Sequence, residues 1–218
     1  MAARLAARTG QEFVLMTSKE DLTIENLTTI RPELIFFPHW SYRIDASVFN
    51  RFPSVVFHMT DLPFGRGGSP LQNLIVRGIY ETKISALRCV EEMDGGPIYL
   101  KRPLTLHGSA EEIFLRASKI IEEMIVEILE KNPKPVAQEG APTLFKRRRP
   151  EEGNLASASS LDQLFDMIRM LDAEGYPNAF LEFGPFRLEF TRAARKEDQV
   201  IADVRITAAK QTKEGGHD

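Results

Sequence analysis

The stretch 55–78, VVFHMTDLPFGRGGSPLQNLIVRG, with 81–97, ETKISALRCVEEMDGGP, decides how the rest of the chain is read. An apolar run, Ser54 to Phe57, delivers His58 to the mouth of a loop. That loop, LPFGRGGSP (62–70), is too rich in glycine and proline to continue a helix or a strand. A helix-like LQNLIVRG and a β-rich run from Thr82 to Val90 follow. The β-rich run brings up one carboxylate, Asp94, just before Gly95-Gly96-Pro97. An imidazole and a carboxylate thus stand at the ends of two expected strands, where open α/β sheets bind their ligands.

Upstream, MAARLAAR is built of helix formers and Thr9-Gly10 can stop it. FVLMTS (13–18) reads as a short strand and LTIENLTTI (22–30) as a helix. ELIFFPH (33–39) reads as a strand buried on both faces, since its apolar positions do not alternate. A short helix around Ser47 to Phe52 completes an alternation of helix and strand that calls for a largely parallel, covered sheet.

Downstream, PIYLKRPLTL (97–106) reads as a strand pairing with the one before it. Ser109-x-x-Glu112 is a capping box that opens a long helix. In that helix Ile113, Ala117, Ile120, Ile121, Met124 and Ile128 recur at helical spacing, and Asn132-Pro133 ends it. The proline-rich NPKPVAQEGAP (132–142) is the best domain boundary, giving an N-terminal domain 1–132, a linker 133–150 and a small domain 151–218. The run Lys146 to Arg149 is either a solvated linker edge or a phosphate contact. SLDQLFDMIRML (160–171) makes an amphipathic helix, Gly184-Pro185 turns a hairpin, and VIADVRI (200–206) is a last strand before a frayed tail, 210–218. So little structure cannot stand alone and should dock on the first domain.

Composition is that of an ordinary soluble chain: 218 residues, 43% hydrophobic and 27% charged, with net charge −3. This gives no global electrostatic case for nucleic acid. The single cysteine, Cys89, reads as a core residue, and the four histidines show no metal-ligand spacing. Neither a signal peptide nor an apolar run of membrane length is found, so the expectation is a cytoplasmic enzyme or binding protein.

Two motifs carry a resemblance. HMTDLPFGRGGSPLQ (58–72) resembles the HxSLLPxxRGxxPxQ segment of the folate-dependent formyltransferases, the family of methionyl-tRNA, glycinamide-ribonucleotide and nucleotide-sugar formyltransferases. EMDGGPIYL (92–100) resembles that family's second motif, whose aspartate pairs with the histidine. IRMLDAEGYPNAF (168–180) and FRLEFTRA (186–193) resemble its small C-terminal OB-like β module, here abbreviated. The resemblance implies an α/β fold: a Rossmann-like, mostly parallel sheet with an OB-like module. The family has a central strand before its first helix, whereas this chain opens inside that helix, so either the true start lies upstream or the sheet lacks that strand. A sheet without that strand forgoes several buried side chains, each contributing roughly 1.5–3 kcal/mol against a total of about 5–15 kcal/mol. Marginal stability is therefore expected.

Formyl transfer passes through a tetrahedral species with a charged oxygen, and moves a proton from the attacking amine to the departing nitrogen. It needs an oxyanion donor and a proton carrier near neutrality. Histidine serves as either, and a nearby carboxylate orients it and favours its charged form. The resemblance makes His58 and Asp94 the catalytic pair. It implies 10-formyltetrahydrofolate as co-substrate, without a metal, held by backbone of Phe37, Pro38, His39, Trp40 and Ser41 and of Glu91, Glu92, Met93 and Gly95. Thr60, Leu62, Pro63, Arg66 and Gly67 fall on the acceptor's side. There Arg66 either touches a phosphate or anchors the loop to backbone carbonyls, and Trp40 is equally a packing residue. The family's asparagine two residues before the histidine is Val56 here, which cannot donate to the formyl oxygen. His39, Trp40, Ser41, Thr60 and Asn73 are the candidate substitutes. The acid-leaning charge and short C-terminal module favour an amino sugar on a nucleotide as acceptor, with methionyl-tRNA second; a homodimer is allowed. A folate-fold protein that binds without catalysis is the third reading.

Overall fold

A computed structural model describes residues 1–209, and the expected frayed tail lies outside them. Helix α1 (Ala2–Thr9) ends at Gly10 with φ 70°, as its sequence anticipates, and buries Leu5. Helix α2 (Ile24–Ile30) starts at a Thr23 cap, and strand β1 (Ile35–Phe37) follows. Helix α3 (Ala46–Phe49) leads into β2 (Ser54–His58). The short β3 (Arg66–Gly67) and α4 (Pro70–Ile75) precede β4 (Glu81–Arg88) and β5 (Ile98–Thr105). Helix α5 (Ala110–Lys131) has both halves of the Ser109–Glu112 capping box and ends at Asn132 with φ 42°. Then come β6 (Leu144–Phe145), α6 (Leu161–Arg169), β7 (Ala179–Phe183), β8 (Phe186–Arg195) and β9 (Val200–Ala208).

The principal sheet has the order β1-β2-β4-β5. It is mixed: β1 pairs with β2 in parallel, while β2 with β4 and β4 with β5 are antiparallel. The α/β class anticipated from the alternation holds, although the mostly parallel sheet expected has only one parallel pair, β1 with β2, in its principal sheet. Two expectations fail for one reason. FVLMTS is not a strand, and Val14 and Leu15 are 55% and 70% exposed. The ELIFFPH strand shortens to Ile35–Phe37, whose first two residues are only half-buried. An apolar run becomes a strand only where a neighbour accepts its backbone hydrogen bonds. No strand lies beyond β1 among the described residues, so β1 is an edge and the segment before it has nothing to pair with.

Alternation in β2 sorts its side chains. Val55 and Phe57 join the main core with Ile113, Ala117, Ile121 and Met124 of α5. Val56 turns the other way, towards a smaller cluster of Leu27, Phe37 and Val48, and His58 shares its face.

The C-terminal strands form an open antiparallel sheet, β7-β8-β9, with the predicted turn at Gly184-Pro185 joining β7 to β8. Its helix α6 docks on the first part of the chain as expected. Ile168 and Leu171 enter the main core. The Gln72 amide donates to Met170 O, and Glu111 N donates to Asp172 O. Among the described residues no helix is long and apolar enough to cross a membrane.

Candidate active site

His58 ends β2 and is 7% exposed. Its Nε2 donates to Gly65 O at 2.7 Å, because a carbonyl can only accept. That leaves Nδ1 for Asp94, whose Oδ2 lies 3.5 Å away. The same Oδ2 accepts Gly67 N at 2.8 Å. The imidazole and carboxylate anticipated from the two motifs therefore meet, brought together by a loop closing over the His58 face of the sheet.

The LPFGRGG loop holds this geometry through a pairing that local sequence does not announce. Residues 66–67 form a two-strand parallel pair with Leu144–Phe145. Gly65 and Gly67 have φ of +78° and +105°, and a Cβ at Gly67 would stand 2.5 Å from Phe145 O. Only glycine satisfies both demands there.

Other predicted residues divide. Thr60 and Leu62, expected on the acceptor side, are 0% and 1% exposed, and Thr60 Oγ1 is spent on Gly65 O at 3.4 Å. Neither faces an acceptor: β2 ends in a tight turn back into the core, which takes both side chains inward. Arg66 is also buried, at 8%. Its Nη1 donates to Glu92 Oε1 at 2.6 Å, and its Nε and Nη2 to Gln138 Oε1 at 3.0 and 2.8 Å. It anchors the loop through side chains, not through the backbone carbonyls expected, with three of its five N–H groups engaged and the side chain buried away from an incoming phosphate. Pro63 is half-buried.

On the proposed folate side, Phe37 is core, with its ring edge-on to Trp40 at 5.6 Å. Pro38 is half-buried and Ser41 exposed. His39 adopts φ 53° and places Nε2 2.9 Å from Ser118 Oγ on α5, which uses that nitrogen on the protein. Trp40 packs as the packing reading anticipated, yet its indole Nε1 is buried without a partner among the described residues. Glu91 and Met93 are exposed, Glu92 holds Arg66, and Gly95 is half-buried. Asn73 is excluded as a donor to a ligand, since its amide donates to Gly68 O and Lys146 O. An orphaned indole donor and the backbone of two loops flanking the His58 face fit a flat heterocycle with hydrogen-bonding edges. Burial, with the Asp94 charge adding to it, pushes the Cys89 thiol up to about 11, which makes it inert as a nucleophile.

Val56 stands two residues before His58 on the same face, half-buried. Substituting asparagine would put an amide donor beside the imidazole. Val56→Asn is expected to raise formyl-transfer turnover, by up to the ~10²–10³ that one oxyanion donor contributes. Unchanged turnover in a folded variant would mean that another donor, Trp40 Nε1 first among them, already fills the role.

Sequence reasoning missed Gln138, a solitary glutamine in a proline-rich linker with no motif around it. It also left open the basic run. Lys146, Arg147 and Arg149 are exposed, immediately after the strand that pairs with Arg66–Gly67. With Asn73, Arg148, Glu151 and Glu152 they line a shallow cleft of about 700 Å³.

Comparison with known proteins agrees with these features. A family model for the methionyl-tRNA formyltransferase C-terminal domain matches residues 150–207. The methionyl-tRNA formyltransferase from Clostridium thermocellum is 51% identical, with a TM-score of 0.92 over 95% of this chain and 93% of that one. HypX from Aquifex aeolicus, at 19% identity, superposes with a TM-score of 0.72 over 89% of this chain and 36% of its own. A sugar N-formyltransferase from Shewanella, at 14% identity, reaches 0.64 over 80% and 76% of the two chains. At such identities the last two share the fold alone.

Proposed function

Since the chain belongs to the folate-dependent formyltransferase family, we propose that it moves a formyl group from 10-formyltetrahydrofolate to the amine of methionyl-tRNA. The observation that carries the catalytic part is the approach of His58 Nδ1 and Asp94 Oδ2 to 3.5 Å in a buried corner. The donor, when bound, supplies a formyl carbon on an amide-like nitrogen. Asp94 holds the ring of His58 through Nδ1, and Gly67 N fixes the carboxylate that does so. His58 carries the proton that the attacking amine gives up and the departing nitrogen takes. For this the neutral ring keeps its proton on Nδ1 towards Asp94, so Nε2 gives up its contact with Gly65 O when the substrate binds and takes the amine's proton there.

Methionyl-tRNA replaces the amino sugar as the favoured acceptor for two reasons. The amino-sugar preference follows from the net charge of −3 and the short C-terminal module, but what a polyanion meets is the local surface. Locally, three exposed cations follow the strand that closes the site. In addition, the 51% identical relative is a methionyl-tRNA formyltransferase, whereas the sugar enzyme is distant. Binding of methionyl-tRNA should weaken steeply with salt. Replacing Lys146, Arg147 and Arg149 together by alanine should flatten the log–log slope by roughly 2–3, at about 0.7–0.9 per phosphate contact. A slope unchanged in the triple variant, with an amino-sugar nucleotide formylated faster than the tRNA, would overturn this choice of acceptor. Tetrahydrofolate release from the donor in the presence of each amine measures the transfer directly.

A further inference from the structure

Asp94 reaches His58 from a backbone conformation that it does not adopt unaided, with φ +52°. A left-handed aspartate is uncommon and needs its surroundings to hold it. The holder is the side-chain amide of Gln138. Its Nε2 donates to Asp94 O at 2.7 Å and to Gly96 O at 2.8 Å, which ties down both sides of the turn. Its Oε1 accepts two N–H groups of Arg66, whose remaining arm holds Glu92 in the same loop. The amide's orientation is unambiguous, since a guanidinium can only donate and a carbonyl can only accept. Both amide hydrogens and the amide oxygen are in use. Gln138 itself is steadied two residues earlier, where Val136 and Ile98 exchange backbone hydrogen bonds of 2.9 and 2.7 Å.

We propose that Gln138 is a positioning residue for the His58–Asp94 pair, acting through the main chain of the Asp94 loop. The segment after α5 thus completes the site instead of merely tethering the C-terminal strands. This inference rests on the proposed reading of the pair as the proton machinery, although its structural half can be tested without that reading.

The experiment uses the full chain and two variants. Gln138→Met keeps the length and removes every hydrogen bond. Gln138→Glu keeps the acceptor for Arg66, and in place of the two donations sets a charged oxygen against the carbonyls of the turn. Both are expected to lower kcat by about 10- to 100-fold, the range for groups that orient a catalytic residue, with KM for the acceptor little changed. In both, the ring nitrogen resonances of His58 should move from their wild-type positions in NMR spectra. Wild-type kcat with unmoved His58 resonances in the two variants would overturn the proposal. A rate loss that merely follows the folded fraction in both would do the same. If the wild-type chain transfers no formyl group, the proposed function fails, and the His58 resonances alone decide whether Gln138 holds the pair.

Discussion

Replacing His58 by alanine, or Asp94 by asparagine, is expected to lower formyl transfer by about 10²-fold or more, the range that one positioned proton carrier contributes. The two substitutions probe different things. His58→Ala removes the ring, and with it the hydrogen bond to Gly65 O, so part of its effect is on the loop. Asp94→Asn is close to isosteric and keeps an oxygen for Gly67 N, but takes the charge away from Nδ1. A matched loss in both, with thermal midpoints near wild type, marks a pair that works as a unit, since such effects are far from additive. Steady-state turnover with 10-formyltetrahydrofolate measures it. Wild-type turnover in either variant would refute the assignment.

The largest loss of stability is expected at Arg169, which is 2% exposed on α6. Its Nε donates to Asp166 Oδ1 at 2.6 Å, and its Nη1 to Leu106 O and Gly108 O at 2.5 and 3.0 Å. The guanidinium also lies over the rings of Tyr80 and Phe165, at 5.3 and 5.5 Å. Arg169 therefore joins α6 to the turn that starts α5. Arg169→Met would leave the Asp166 carboxylate and two carbonyls buried without partners. Stranding the partner of a buried ion pair costs about 3–5 kcal/mol. For a chain of this size that is a drop of roughly 6–20 °C in Tm. Arg169→Lys keeps the charge and loses the fork, so most of the loss should persist. A calorimetric midpoint within about 2 °C of wild type for Arg169→Met would show that the clamp contributes little.

Much of the site was legible in the linear order of residues. His58 and Asp94 stand out because the surrounding Gly and Pro residues mark the loops that carry them, and the structure brings their side chains within 3.5 Å. Arg66 was visible but its direction was not. A lone arginine in a glycine-rich loop suits a phosphate and a protein acceptor equally well, and the choice depends on Glu92 and Gln138, distant in the chain. Gln138 had no signal at all, because its role exists only once the linker crosses the Asp94 loop. Thr60 and Leu62 matched the motif by position while their side chains went to the core.

By itself, the sequence determined whatever has a local cause. The capping box that starts α5, the left-handed Asn132 that ends it and the hairpin at Gly184-Pro185 all follow from neighbours a few residues apart. Only the tertiary structure decided the rest. FVLMTS stayed out of the sheet for want of a strand to receive its hydrogen bonds, and the pairing of Arg66–Gly67 with Leu144–Phe145 set the loop that His58 and Asp94 share. Hydrogen bonds between distant segments leave no periodicity behind, so they emerge only when the chain has folded and brought those segments side by side.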